Sequence, residues 1–249
     1  MSDLSSVSSQ SPITLTFVIP ALNEEDVIRR FIDDVTRVIG SHDLIYEIIL
    51  IDDGSTDRTG AIMDEIAAAN ERIRIIHNPT NIGLGESYKR GLAEARGEYL
   101  MMLCGDGGFP ASSLPPVLDQ LGAADILVPY MLNLHRIKTP TRLILSRAYT
   151  TLLNILFGQD IRYYNGLPVH KVANLKSLEI KSSGFGFQAE ILTKLLRAGC
   201  SYQQIGVYGA EETKRSRALR LRNIASVVRT LARLITEVMR YKPASGRKT

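Results

Sequence analysis

Apolar residues follow two rhythms along the first half of the chain. Short continuous runs alternate with stretches in which apolar positions recur every three or four residues. Ile13–Ile19 is such a run, closed by Pro20, and Tyr46–Ile51, Arg72–Ile76, Glu98–Leu103 and Asp125–Val128 follow it. Runs of this length read as strands, and the YEIILI segment as one buried on both faces. Between them, Glu24–Ile39 sets Val27, Ile28, Phe31, Ile32, Val35, Val38 and Ile39 at helical spacing. Thr56–Asn70, Gly85–Arg96 and Ser112–Leu121 also read as helices, with Asp57 early in one and Gly97 as the stop of another. Strand and helix alternate, which predicts a βαβ array around a parallel sheet.

The second half is less regular. Pro140–Phe157 predicts an apolar helix carrying Arg142 and Arg147, and Asn165–His170 a loop running into a strand. Ser182–Gly186 reads as a turn or mobile loop, Phe187–Ala198 as a helix and Tyr202–Val207 as a strand. Leu219–Tyr241 reads as a long helix with Leu221, Ile224, Val227, Val228, Leu231, Leu234, Ile235 and Val238 on one face. Arg222, Arg229, Arg233 and Arg240 lie on another face. No internal repeat is visible.

The 249 residues are 45% apolar and 22% charged, enough for one large α/β domain and too apolar for global disorder. No run of 18 or more apolar residues occurs, so no transmembrane helix is predicted. Residues 1–12 are Ser-rich without the basic and apolar regions of a signal peptide, and read as a disordered N-terminus. Cys104 and Cys200 form no spacing motif, which excludes a disulfide scaffold or zinc cluster and suggests a reducing compartment. The net charge of +4 conceals a split. Residues 1–212 carry 19 Lys/Arg and 25 Asp/Glu, a charge of −6, whereas 213–249 carry 11 Lys/Arg and Glu237 alone, a charge of +10. A basic tail on an acidic body suggests an anionic partner for the tail.

Ligands of an open parallel sheet bind outside the carboxyl ends of its strands. Three polar clusters fall there: Pro20-Ala-Leu-Asn-Glu24, the segment Asp52–Thr59 that opens Asp-Asp-Gly-Ser, and Gly105-Asp106. Ser55 and Thr56 alone read as turn and capping chemistry. The doublet Asp52-Asp53 asks for more, because adjacent carboxylates repel and need a cation, donors or water. Asp106 stands among Gly105, Gly107 and Gly108, which reads either as a flexible turn or as room for close backbone approach by a ligand. No Gly-x-Gly-x-x-Gly follows the first strand and no Gly-Lys-Ser/Thr P-loop exists, so nicotinamide and P-loop nucleotide sites are excluded. His77, His135 and His170 are isolated in sequence and read as structural.

Taken in order, P-A-L-N-E (20–24), I-D-D-G-S-T-D-R-T (51–59), N-I-G-L-G (81–85), G-L-A-E-A-R-G (91–97) and the strand leading to Asp106 resemble inverting family-2 glycosyltransferases. The segments R-L-I-L-S (142–146), Y-N-G-L-P-V-H (164–170) and the helix from Phe187 resemble the dolichol-phosphate mannosyltransferase-like, polyprenyl-phosphate glycosyltransferase branch. The resemblance spans roughly residues 13–240. It implies the GT-A (Rossmann-like) α/β fold: a mostly parallel central sheet flanked by helices over 13–212. A basic loop and amphipathic helix would follow over 213–249. The implied reaction moves a hexose from a GDP- or UDP-linked sugar to a lipid phosphate or other membrane acceptor. The implied donor site has Pro20, Leu22 and Glu24 around the nucleobase and Ile51 and Asp53 on base and ribose. Gly105 and Asp106 would face the diphosphate, with Asp106 on Mg2+ or Mn2+ and Arg217 closing over the donor. Arg142 and Ser146 would hold the acceptor phosphate, and Glu190 would be the general base were the acceptor a hydroxyl; otherwise it reads as a solvated helix residue.

The chain departs from the family's Asp-x-Asp and following Gln: those positions are Cys104, Asp106 and Gly108. Oxygen-seeking cations are poorly served by a thiol, so metal use and activity itself are the points at stake. The basic closing loop is also altered, with Ser216-Arg217 the nearest match and Lys214 and Arg215 beside it. Alternatives to the lipid-phosphate acceptor are a glycan or glycolipid hydroxyl, or a degenerate protein that only binds nucleotide sugar. The Arg-bearing helix of the tail reads either as packed on the body or as attached to anionic lipid. Lacking interleaved aromatics, it does not read as a nucleic-acid binder. The expected location is cytoplasmic, peripheral at the inner membrane face, with a further copy or a membrane protein as a possible partner.

Overall fold

The structure, a computed structural model, describes residues 12–184 and 186–210, together with 232, 235 and 236. Seven strands form one sheet in the order β3-β2-β1-β4-β6-β5-β7. In chain order they are β1 Leu15–Ala21, β2 Tyr46–Asp52, β3 Ile73–His77, β4 Tyr99–Met102, β5 Ile126–Met131, β6 Val169–Lys171 and β7 Tyr202–Val207. β6 alone runs antiparallel, between β4 and β5, so the other six strands share one direction. Their carboxyl ends therefore lie along one edge.

Both faces of the sheet are covered, as the continuous apolar runs require. Leu15, Phe17, Ile19, Ile48 and Leu50 face one layer, built on helices α1 (Ile28–Gly40) and α2 (Thr59–Ala69). Val18, Ile49 and Ile51 face the other. That layer gathers α3 (Leu84–Glu94), α6 (Pro140–Phe157), α7 (Val172–Lys176) and α8 (Phe187–Arg197). Alternate residues of one strand thus feed two cores, the pleat dividing the layers.

Several boundaries move from their expected places. β1 runs on through Pro20 to Ala21, because the Pro20 carbonyl still accepts from Gly105 N at 2.9 Å although it has no N–H to give. The helix expected over Ser112–Leu121 is a 3₁₀ turn at Ala111–Ser113 followed by the short α4 at Pro115–Leu118, where Pro115 and Pro116 stand in the first turn. Two further short helices, α5 (Leu134–Ile137) and α7, were not signalled by periodicity. The helix expected over Pro140–Phe157 has those bounds, ended by Gly158 at φ +64°. Its outer face is apolar: Ile144, Leu145, Leu152, Ile155 and Leu156 are exposed, Ile155 to 76%. Among the described residues no helix is long and apolar enough to cross a membrane. Residues 1–11 and most of 213–249, including the expected closing loop, lie outside the described residues. Ile235 is described, and packs half-buried against the core cluster of α3, α6 and α8.

Candidate active site

Three loops leave the carboxyl ends of β1, β2 and β4, and backbone bonds tie them edge to edge. Asp53 N donates to Ala21 O at 2.9 Å, extending the β1–β2 ladder, and Gly105 N donates to Pro20 O on the other side. The approach at Gly105 is close enough that a Cβ there would stand 2.7 Å from Ala21 Cβ, so glycine is required.

The β1 and β2 loops are stitched by side chains that bond backbone. Asn23 sits in the left-handed region at φ +56°. Its N–H donates to Ser55 Oγ at 3.1 Å, and its Oδ1 accepts from Thr56 N at 2.8 Å. Glu24 N donates to Thr59 Oγ1 at 2.8 Å, and Arg58 N to Glu25 Oε2 at 3.0 Å. Asx and hydroxyl groups used this way replace secondary structure as the source of rigidity.

The two neighbouring aspartates of the β2 loop do different work. Asp52 Oδ1 accepts from Ser55 N at 2.9 Å, and its Oδ2 lies 3.1 Å from His77 Nδ1. His77 Nε2 lies 3.1 Å from Asp64 Oδ1, so one ring joins two carboxylates. Burial alone would raise Asp52, but its bonds with Ser55 and His77 hold it below the usual carboxylate value. Burial would likewise lower His77, and the two carboxylates instead hold it above its ordinary value. His77 is thus not isolated in space. Asp53 is buried, and its carboxylate accepts four bonds. Oδ1 takes Asn78 Nδ2 at 2.9 Å, Ile82 N at 3.0 Å and Ser87 Oγ at 3.1 Å; Oδ2 takes Gly83 N at 3.0 Å. Four donors meet the demand that the acidic doublet made, and they use Asp53 to shape the loop ahead of α3.

This places the expected donor residues unevenly. Leu22 and Glu24 are half-buried on the β1 loop, while Pro20 is buried in the sheet. Ile51 is fully buried in the second core cluster, under α3. Ile51 and Asp53 therefore have enclosed side chains in this conformation, because strand alternation turns the one inward and the Asn78–Ser87 segment covers the other. Gly105 is buried and Asp106 exposed, with Gly108 N donating to Asp106 Oδ1 at 3.0 Å. Burial, then the neighbouring Asp106 charge, pushes the Cys104 thiol up to about 12. It stays protonated at neutral pH and is a poor cation ligand. No group of three His, Cys, Asp or Glu among the described residues could hold a metal. Asp106 offers one exposed carboxylate, a hard oxygen of the kind Mg2+ and Mn2+ take; a cation there would need oxygens of a bound ligand or water to complete its shell.

Glu190 is fully buried on α8 rather than solvated. Its carboxylate accepts from Lys181 N at 3.0 Å, Ser182 N at 2.8 Å and Lys194 Nζ at 2.5 Å. Burial pushes its pKa up, and the bonds from Lys194 and Ser182 more than offset this, so it lies below the usual value. An ionised carboxylate so engaged holds the loop ahead of α8. It is poorly set to take a proton from a hydroxyl.

Arg142 and Ser146 stand one helical turn apart near the start of α6, and both are half-buried. α5 and then α6 follow β5, whose carboxyl end lies along the same sheet edge as that of β4. Lys138 and Tyr163, absent from the expected site, join Ser146. Their only signal in the sequence is a lysine just ahead of a Pro-started helix and a tyrosine in the loop before β6. Arg217 lies outside the described residues.

The sequence family described as Glycosyl transferase family 2 matches residues 16–166. Dolichyl-phosphate beta-glucosyltransferase ALG5C of Trichomonas vaginalis is 34% identical over 41% of this chain and 32% of its own length. The chain thus spans about a third of that relative. Polyprenol monophosphomannose synthase of Mycolicibacterium smegmatis is 27% identical over 76% of this chain and 75% of that protein. Among solved structures, glucosyl-3-phosphoglycerate synthase of Mycobacterium tuberculosis with uridine diphosphate has a TM-score of 0.69 at 21% identity, covering 94% of this chain and 82% of that one. It shows the GT-A-like fold, and other structures of the same enzyme hold Mn2+ or Mg2+.

Proposed function

The chain belongs to glycosyl transferase family 2, and we propose that it transfers a hexose, with inversion, from a nucleotide-diphosphate sugar to a polyprenyl-type phosphate. The observation that carries this reading is the stitched crevice at one sheet edge. It leaves Asp106 exposed at the carboxyl end of β4, and supports a site that would also use Arg142 and Ser146 near the start of α6. The donor would lie over the loops of β1, β2 and β4, with Leu22, Glu24, and the backbone near Pro20, Ile51 and Asp53 around the nucleoside. The relatives named for polyprenyl-phosphate transfer and the neighbour bound to uridine diphosphate support this assignment of donor and acceptor classes.

In the reaction, an acceptor phosphate oxygen forms the new bond to the anomeric carbon. The bond from that carbon to the diphosphate oxygen breaks, and its electron pair leaves with the nucleoside diphosphate. An ionised phosphate needs no proton removed, so the engaged state of Glu190 favours this acceptor over a hydroxyl. Arg142 would pair with the phosphate charge and Ser146 would donate to it. Asp106 would hold a divalent cation together with diphosphate oxygens; such a cation neutralises charge on the leaving group. The exposed apolar face of α6 supports an acceptor presented at a lipid surface. We place the protein at the inner face of the membrane, with the basic 213–249 segment adding attraction to anionic lipid.

The test is transfer from UDP- and GDP-sugars to a short polyprenyl phosphate in detergent, with the same alcohol lacking phosphate as control. Turnover is expected with the phosphate alone, to fall about 100-fold or more in Asp106→Ala, and to be lost in EDTA. Transfer to the alcohol at an equal rate overturns the acceptor assignment, and full activity in EDTA overturns the metal.

A further inference from the structure

The start of α6 and the loop leading to β6 are joined through one lysine. Lys138 Nζ donates to Ser146 Oγ at 3.0 Å and to Tyr163 Oη at 3.1 Å, and lies 4.9 Å from the Tyr163 ring centre. An ammonium has donors and no acceptor. A serine hydroxyl that accepts from it keeps its own hydrogen for a second partner, and among the described residues none accepts that hydrogen. Lys138 therefore sets the polarity of Ser146: the hydroxyl is committed to donate.

Ser146 and Tyr163 open on a cleft of about 190 Å³ whose walls also carry Arg147, Thr150, Thr151 and Arg162. Its lining holds two guanidinium groups and four hydroxyls, and no carboxylate among the described residues. Arg162 is held in place by donating to Tyr130 Oη at 2.7 Å and by stacking 4.7 Å from that ring centre. Fixed donors, with no carboxylate among the described lining residues, suit an oxyanion. The volume is below the roughly 300 Å³ at which whole-ligand pockets begin, so the cleft suits a headgroup.

We propose that Lys138 is the positioning residue of an oxyanion cradle, turning the Ser146 hydroxyl into a donor for a phosphomonoester seated between α6 and the loop before β6. This rests on the reading of Ser146 as a ligand of the acceptor phosphate. It adds the residue that polarises the hydroxyl, and the Arg147 and Arg162 side of the site. The phosphomonoester is the headgroup of a lipid phosphate or a small soluble phosphate, two sources with one recognition chemistry.

Binding to the full chain without donor separates these points. Calorimetry with glycerol phosphate reads the soluble source. Farnesyl phosphate in detergent micelles, against farnesol in the same micelles, reads the lipid source. The phosphate form is expected to bind in at least one arm, with farnesol silent. Lys138→Met is expected to weaken that binding about tenfold or more. Lys138→Arg should restore it to within about threefold, since arginine keeps the donor. Ser146→Ala should weaken it similarly, and adding Lys138→Met to Ser146→Ala should cost little more. The unfolding midpoint of each variant identifies a folding defect, and the arginine rescue then decides the matter. No phosphate-dependent binding in either arm, or unchanged affinity in Lys138→Met, overturns the proposal. Lys138-dependent phosphate binding without any sugar transfer overturns the proposed function and supports the cradle. Transfer with an unchanged acceptor KM in Lys138→Met does the reverse.

Discussion

The edge formed by β1, β2 and β4 and the region beyond β5 are built by opposite means. At the first, polar side chains are spent inside. Asp53, Asn23, Ser55 and Glu25 hold backbone N–H groups or one another's loops, and little of Asp53 faces water. In the second, α6 buries Leu153 and Phe157, leaves Ile144, Leu145, Leu152, Ile155 and Leu156 outward, and lines a cleft with hydroxyls and arginines. Under the proposed function the first would hold a small, highly charged, water-borne donor, which gains from loops fixed before binding. The second would face a lipid-borne acceptor, and its outward apolar residues would serve that contact. The proposed transfer between water and membrane would need both regions.

The largest expected effect tests the stitched side. Asp53→Ala leaves four donors without their acceptor, those of Asn78 and Ser87 buried and those of Ile82 and Gly83 partly so, and should cost about 3 kcal/mol in urea unfolding. A loss under about 1 kcal/mol would mean the loop is held by something else. Next, Glu190→Gln breaks the buried pair with Lys194 and should cost about 2 kcal/mol. Transfer to a phosphate acceptor should fall less than about fivefold, whereas removal of a general base would cost about 100-fold or more. The pH dependence follows from the lowered Glu190 pKa. Its contribution is present above the unfolded value near 4.3 and lost as pH falls through the folded value. Glu190→Gln should therefore flatten the acid limb of stability.

Two smaller effects sharpen the contrast on the α6 side and at the margin of the crevice. Leu152→Ser combined with Ile155→Ser should leave stability within about 0.5 kcal/mol while lowering binding to anionic vesicles several-fold. Undiminished vesicle binding would move the membrane contact elsewhere, the basic tail being the first place to look. The smallest effect concerns His77, whose side chain is 45% exposed. Its pKa is raised on folding, so its stabilisation is present below the unfolded value near 6.5 and lost as pH rises through the folded one. With screening, this amounts to about 0.5 kcal/mol. Unfolding compared at pH 6 and pH 8 should show it in the native chain and not in His77→Gln.

What was legible in the chain follows the range of the forces involved. The alternation of β1 to β4 with α1 to α3 is written in local periodicity, because a buried strand and an amphipathic helix each need their pattern within a few residues. β6 was legible only as a loop running into a strand. Three residues are too few for a period, and its antiparallel direction depends on lying between β4 and β5. The same limit hid α5 and α7. The outward apolar residues of α6 look in sequence like core residues, since periodicity records a face and not what covers it. Lys138 was missed because its partners lie eight and twenty-five residues away.

The sequence by itself determined the sheet-and-helix plan of the first half. It placed carboxylates after β2 and β4, showed the thiol where the family has an acid, and carried the charge split between body and tail. Only the tertiary structure distinguished chemically similar side chains. Asp53 became a loop fastener, Asp52 a partner of His77, Glu190 a buried ion pair and Asp106 the exposed carboxylate at the β4 loop. The reason is that ionisation and reactivity depend on burial and on donors brought from distant parts of the chain, and neither is a property of the residue alone.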